Sequence, residues 1–177
     1  MTERPATDPF ELAFAENDKT DAILVVNKNK LHVNKALLSI HSDYFNTLFK
    51  DFKEKSMPEI EIKDVKLEDF VTLLSLIMPE ALPLDIGECE KLLKLADRFL
   101  IPAAKRHVAF FIALSDMDKQ KKLILADKFD LEILRNNALA EYTEINLYKN
   151  IGNVGKNFSQ TTKNAIFDVF FQKFKYT

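Results

Sequence analysis

The apolar positions of this chain change their spacing as it runs. Asp21-Ala22-Ile23-Leu24-Val25-Val26 is a compact run rich in β-branched residues; polar Asn27-Lys28-Asn29-Lys30 follows, and then Leu31-His32-Val33. This pattern predicts two short strands joined by a four-residue turn. Asn34 is suited to cap a helix beginning Lys35-Ala36-Leu37-Leu38, and a second helix starts near Ser42 and carries Tyr44, Phe45, Leu48 and Phe49. Glu59-Ile60-Glu61-Ile62-Lys63 alternates with period two, the mark of a strand with one buried face. Asp64 is expected to cap the next helix, whose Leu67, Phe70, Val71, Leu74 and Ile77 keep the spacing of an amphipathic stripe. Beyond Pro83 no run of comparable strand strength follows. The expected class is α+β: a small three-stranded sheet flanked by helical hairpins, with an all-α C-terminal extension.

The second half contains an internal echo. Residues 91–101 (KLLKLADRFLI) align with 121–131 (KKLILADKFDL), sharing Lys, Leu, Leu, Ala, Asp and Phe at matching places. Each copy ends one helix and leads into another, expected over 102–114 and 132–143. Two copies are too few for a solenoid and read as two stacked helical hairpins, with Ala96 and Ala126 permitting close approach and Phe99 and Phe129 filling the joints. Ser115 and Asp118 form a candidate capping box before the second pair. The expected organisation is an acidic, flexible tail or docking segment over 1–18, a core module over 19–114 and a helical extension over 115–177.

Composition narrows the function. With 177 residues the chain has room for one domain, or one domain and a small module, and can fold without disulfides or a structural metal. Three glycines leave few positions for positive-φ turns or for loops that present bare amides to a phosphate. A net charge of −2 and a pI near 6.0 lack the footprint of a nucleic-acid binder. The longest apolar run, residues 109–114, falls far short of the ~20 residues that span a bilayer. The first residues carry no apolar signal core, and Cys89 stands alone, so a reducing interior, cytoplasmic and/or nuclear, is expected. The sequon Asn157-Phe158-Ser159 then reads as chance.

Residue groups that suggest chemistry have simpler readings. Ser39, His41, Ser42 and Asp43 combine nucleophile, base and acid types, but triads converge from distant segments, and capping explains these residues better. His32, His41, His107 and Cys89 contain no pair at zinc-ligand spacing. Ile151-Gly152-Asn153-Val154-Gly155-Lys156 mimics a Gly-x-x-Gly RNA-binding loop, yet one helix is all that is expected to follow it, and Asn150 and Asn157 depart from the phosphate-loop pattern. No enzyme activity, cofactor or metal is expected. The last helix carries Ile166, Phe167, Phe170, Phe171 and Phe174, a stripe expected to pack on the second hairpin.

Taken in order, the strings at Asp21–Val26, Leu31–Ser39, Ser42–Phe49 and Glu59–Val65, and the later Leu95–Pro102, resemble the BTB/POZ domain over about residues 20–114. Residues 118–175 are similar to the 3-box or BACK-like helices of BTB proteins that often carry an upstream MATH domain; within these 177 residues no MATH domain precedes the BTB-like region. The resemblance implies a homodimeric adaptor that recruits cullin-3 into an E3 ubiquitin ligase, or one that pairs with a MATH–BTB protein. A dimerisation scaffold or transcription-linked corepressor module is the alternative. It implies a dimer-interface charged pair at Asp21 and Lys35, and a cullin-binding hydrophobic-x-Glu motif at Phe52, Lys53 and Glu54. Met57-Pro58-Glu59, Met78-Pro79-Glu80 and Leu139-Ala140-Glu141 match that spacing equally well, so location alone favours Phe52. No nucleic-acid or membrane partner is expected.

Overall fold

A computed structural model describes residues 12–52, 57–142 and 157–174. Strands β1 (Ala22–Val26) and β2 (Asn29–Val33) pair antiparallel, and β3 (Glu59–Glu61) pairs parallel to β1, giving the order β2-β1-β3. The central strand is the most apolar of the three, as a strand covered on both edges requires. The turn between β1 and β2 is shorter than the expected four residues: Val26 lies opposite Asn29, leaving Asn27 and Lys28 as a two-residue loop with φ of 48° and 71°. Two left-handed residues match the twist of the paired strands, and the Asn29 amide braces the loop by donating to the Val26 and Asn27 carbonyls. Phe14 is buried, and its carbonyl accepts the His32 N–H at 3.0 Å on the outer edge of β2.

Helix α1 (Lys35–His41) is capped by Asn34, and α2 (Asp43–Lys50) by Ser42. Asp64 does not cap α3 (Leu67–Ser75). It sits in the left-handed region at φ 57°, and its carbonyl and that of Lys63 accept the two Arg98 Nη groups, each at 2.8 Å; Lys66 takes the cap position without a side-chain bond. Ile77 is buried but lies beyond the helix. Helix α4 (Cys89–Arg98) closes the core beside the sheet's helices, in which the Phe45 ring stacks with those of both Phe49 and Phe99, each centroid 5.8 Å away. Tyr44 and Phe70 meet the Phe99 ring at 5.1 Å.

The chain divides into two compact units, Met1–Lys105 and Arg106–Thr177, so the division falls inside α5 (Pro102–Leu114). The Lys105 ammonium reaches Asp97 Oδ1 at 2.6 Å, which ties the first turn of α5 to α4. The second unit holds the rest of α5, α6 (Lys119–Lys128), α7 (Glu132–Ala140) and α8 (Gln160–Phe174). Asp118 caps α6, whereas Ser115 donates to the Ile112 carbonyl and closes α5; the expected capping box is not formed. The C-terminal stripe divides: Ile166 and Phe170 pack on a cluster of Leu123, Ala138, Leu139, Tyr142 and Phe158, while Phe167 and Phe171 are exposed with rings 4.4 Å apart. The side chain of Phe174 lies outside the described ones.

The two echo copies end alike. Ile101 N–H reaches back to the Ala96 carbonyl and Leu131 N–H to that of Ala126, each at 2.8 Å, with Leu100 (φ 50°) and Asp130 (φ 48°) in the left-handed region between. This is a Schellman closure, a place where glycine is usual. A leucine there carries a steric cost of about 1 kcal/mol that glycine avoids. Leu100 is 52% exposed, so its side chain offsets little of that cost. Leu100→Gly is expected to stabilise the chain by up to ~1 kcal/mol, a rise of roughly 2–4 °C in Tm by calorimetry; a fall would contradict this reading of the closure.

Candidate functional site

The antiparallel return of β2 brings Val33 opposite Ala22, so the start of α1 lies level with the residue before β1. Asp21 and Lys35 meet there, both half-buried. Asp21 Oδ1 accepts the backbone N–H of Lys35 at 2.7 Å, and the Asp21 N–H donates to the Val33 carbonyl at 3.0 Å. Asn34 Oδ1 accepts the Leu37 N–H at 2.8 Å while its amide donates to the Lys19 carbonyl at 2.6 Å. Two otherwise orphaned amides of the first turn are thus satisfied by two side chains, and the carboxylate lies at the positive end of the helix.

The second candidate lies at the end of α2. Asp51 N–H donates to the Leu48 carbonyl and Phe52 N–H to that of Phe49 at 3.1 Å, which carries the helix one tight turn further. Phe49 is buried and Phe52 half-buried. An aromatic at a fixed helix end, partly out of the core, can supply contact area to a partner at low entropic cost. Lys53 and Glu54 lie outside the described residues. Two of the competing matches are otherwise engaged: Leu139 is in the second unit's core and Glu141 bonds Lys122, while Glu59 belongs to β3 and bonds Lys30. Met78 is half-buried, as Phe52 is, so only location separates that match.

Ser42 has no free role as a nucleophile. Its hydroxyl is buried, donates to the Phe99 carbonyl at 2.6 Å and accepts the Phe45 N–H at 3.1 Å. Sequence reading found the cap but missed the bond to Phe99, which joins residues far apart in the chain. Burial pushes the Cys89 thiol up to about 11, helped by the carboxylates of Asp85 and Glu88, so it stays protonated and unreactive at neutral pH. An open cleft of about 360 Å³ in the first unit is lined by Lys66, Glu68, Asp69, Asp85, Glu88 and Lys91 among others. Two of these groups, Lys91 and Glu88, pair with each other. Among the described residues no group of three or more His, Cys, Asp and Glu is placed to hold a metal ion, and no helix is long and apolar enough to cross a membrane.

Residues 10–116 match the family model of the BTB/POZ domain. The chain belongs to the BTB/POZ domain family. In Caenorhabditis elegans, BTB and MATH domain-containing protein 38 is 32% identical over 163 residues, covering 90% of this chain and 42% of that protein. BTB and MATH domain-containing protein 36 is 33% identical over 124 residues, covering 69% and 39%. The chain thus spans about two fifths of these relatives, and the longer match runs past the BTB/POZ region into the C-terminal helices. The BTB domain of human gigaxonin is similar over 63% of this chain and 98% of its own length, with a TM-score of 0.46 and 20% identity. BTB/POZ domains are protein–protein interaction modules, and membership of the family implies that role for this chain.

Asp21→Ala removes the acceptor that holds the start of α1 and is expected to cost about 1 kcal/mol of stability, the usual loss for a capping side chain. Asp21→Asn keeps an acceptor oxygen and recovers most of that loss. Urea titrations of the three proteins check it, an unchanged midpoint for the alanine variant being the contrary result.

Proposed function

We propose that this BTB/POZ chain acts as a homodimeric adaptor that recruits cullin-3 to an E3 ubiquitin ligase, positioning partners rather than transforming them. The observation that carries the reading is the half-buried Phe52 at the fixed end of α2, where the family resemblance puts the cullin contact. An aromatic side chain that can insert into a partner's pocket is the kind of anchor around which interface hot spots form. Asp21 and Lys35 are assigned to the dimer interface on the same resemblance, and the bond between the Lys35 N–H and the Asp21 carboxylate, which holds the two together, supports that assignment. The relatives named for BTB and MATH domains support a heterodimer with such a protein as a further partnership, one that supplies the substrate-recognition domain. The proposed location is cytoplasmic and/or nuclear.

Two measurements test this. Light scattering at micromolar concentration is expected to give twice the 20.4 kDa chain mass; the mass of one chain removes the dimer. Calorimetry against the cullin-3 N-terminal region is expected to show binding that the Phe52→Ala, Glu54→Ala double variant weakens by ~2 kcal/mol or more, about thirtyfold. Equal binding by a folded double variant removes the assigned contact, and no binding by the parent chain leaves the dimerisation scaffold.

A further inference from the structure

The start of α8 is held by a polar latch on which the reading above makes no demand. Ser159 is exposed, and its hydroxyl donates to Asp127 Oδ1 at 2.5 Å while its backbone N–H donates to both carboxylate oxygens at 3.0 and 3.2 Å. The same hydroxyl accepts the Thr162 N–H. Thr162 in turn is fully buried and accepts Arg135 Nε at 2.9 Å, and Arg135 Nη2 reaches Asp130 Oδ1 at 2.6 Å. One exposed oxygen therefore closes a chain of contacts that runs from the end of α6 through α7 to the first turn of α8.

We propose that Ser159 is a phosphorylation site and that phosphate on its Oγ releases α8 from the α6–α7 hairpin. In the step a protein kinase directs Oγ onto the γ-phosphorus of a nucleoside triphosphate. The new O–P bond replaces the bond to the β-phosphate, the nucleoside diphosphate leaves, and the hydroxyl proton passes to the kinase's base. The product has lost the hydrogen that Asp127 accepts and carries about two negative charges against that carboxylate. A phosphate at a helix start is ordinarily favoured, but the helix offers the equivalent of only about +0.5 charge, and Asp127 presents a full negative charge at contact distance. In the unmodified chain burial works against the ionisation of Asp127, but the Ser159 and Thr162 hydrogen bonds and the Arg135 charge hold its carboxyl below the ordinary carboxylate value, so the incoming phosphate meets a charged group. Arg135 is already committed to Asp130 and Thr162, and its transfer to the phosphate would undo the latch by another route. Thr162, being buried, is closed to a kinase; Thr161 is exposed and serves as the control.

The test uses the full chain with phosphoserine installed at 159. Hydrogen exchange of the amides over 163–172 is expected to quicken at least tenfold, while those of 22–33 keep their rates. Asp127→Asn in the phosphorylated chain is expected to restore slow exchange, and Thr161→Glu in the unmodified chain to leave it slow. Exchange that is unchanged or slower, protection lost throughout the chain, or no rescue by Asp127→Asn overturns the release. Tandem mass spectrometry of the tryptic peptide 157–163 from chain isolated from cells is expected to place phosphate on Ser159; phosphate on Thr161 alone, or none, overturns the site.

Discussion

One buried hydroxyl organises the first unit. Ser42 starts α2 and bonds the carbonyl of Phe99 at the end of α4, so two helix ends distant in sequence are fixed at one oxygen. An unsatisfied polar group at this depth costs about 1–3 kcal/mol, which excludes arrangements in which those ends part. With the joint made, Phe45 and Phe99 lie nearly parallel, 6° apart, and Phe49 and Phe70 complete the cluster. Each buried ring contributes about 1.5–3 kcal/mol and each ring pair ~0.5–1.5 more. Phe52 follows Phe49 at the same helix end, one tight turn beyond this joint.

The parts of the fold that depend on neighbours in sequence were legible beforehand. The apolar run at Ala22–Val26, the caps at Asn34 and Ser42 and the stripe through Phe70 and Leu74 all report local preferences that the tertiary structure keeps. Where the expectations failed, a distant group intervened. Asp64 has the right side chain for a cap, but its backbone is left-handed with its carbonyl bonded by Arg98, and Lys66 takes the cap position instead. Ser115 has the right spacing for a capping box, but the end of α5 claims it first. At the candidate site the same division holds. Asp21 and Lys35 are named as a charged pair by family resemblance; the bond that joins them in the fold runs from the Lys35 backbone N–H to the Asp21 carboxylate, and no local rule joins a strand start to a helix that follows the next strand.

The scarcity of glycine also reads differently in the fold. Positive φ is not avoided: Asn27, Lys28, Asp64, Leu100 and Asp130 all adopt it, and no described glycine does. Asn and Asp tolerate that region because their short polar side chains bond locally. Leu100 and Lys28 have no such excuse, and they are held by what surrounds them, the backward bond from Ile101 in one case and the strand pairing on both sides of the turn in the other. Strain of about 1 kcal/mol at such points persists when flanking structure over-determines the backbone.

The second unit relies on a different balance. Lys122 and Arg135 are buried, yet their partners Glu141 and Asp130 keep 40% and 83% of their side chains in water. Half-hydrated pairs gain little Coulomb energy, so these cations depend as much on neutral acceptors, the Ala113 carbonyl and the Thr162 hydroxyl. Their effect is on position. A helix that slides on an apolar contact exchanges one methyl for another, whereas a slide that strips a buried cation of its acceptors costs about 3–5 kcal/mol. The echo makes the comparison internal to the chain, because Leu92 occupies in the first copy the place that Lys122 occupies in the second, and both are buried. The apolar version belongs to the unit whose position is already set by a sheet and an aromatic cluster. The cationic version belongs to the unit whose described residues contain neither β-strand nor stacked core rings, and there the polar bonds set the register that packing alone leaves free.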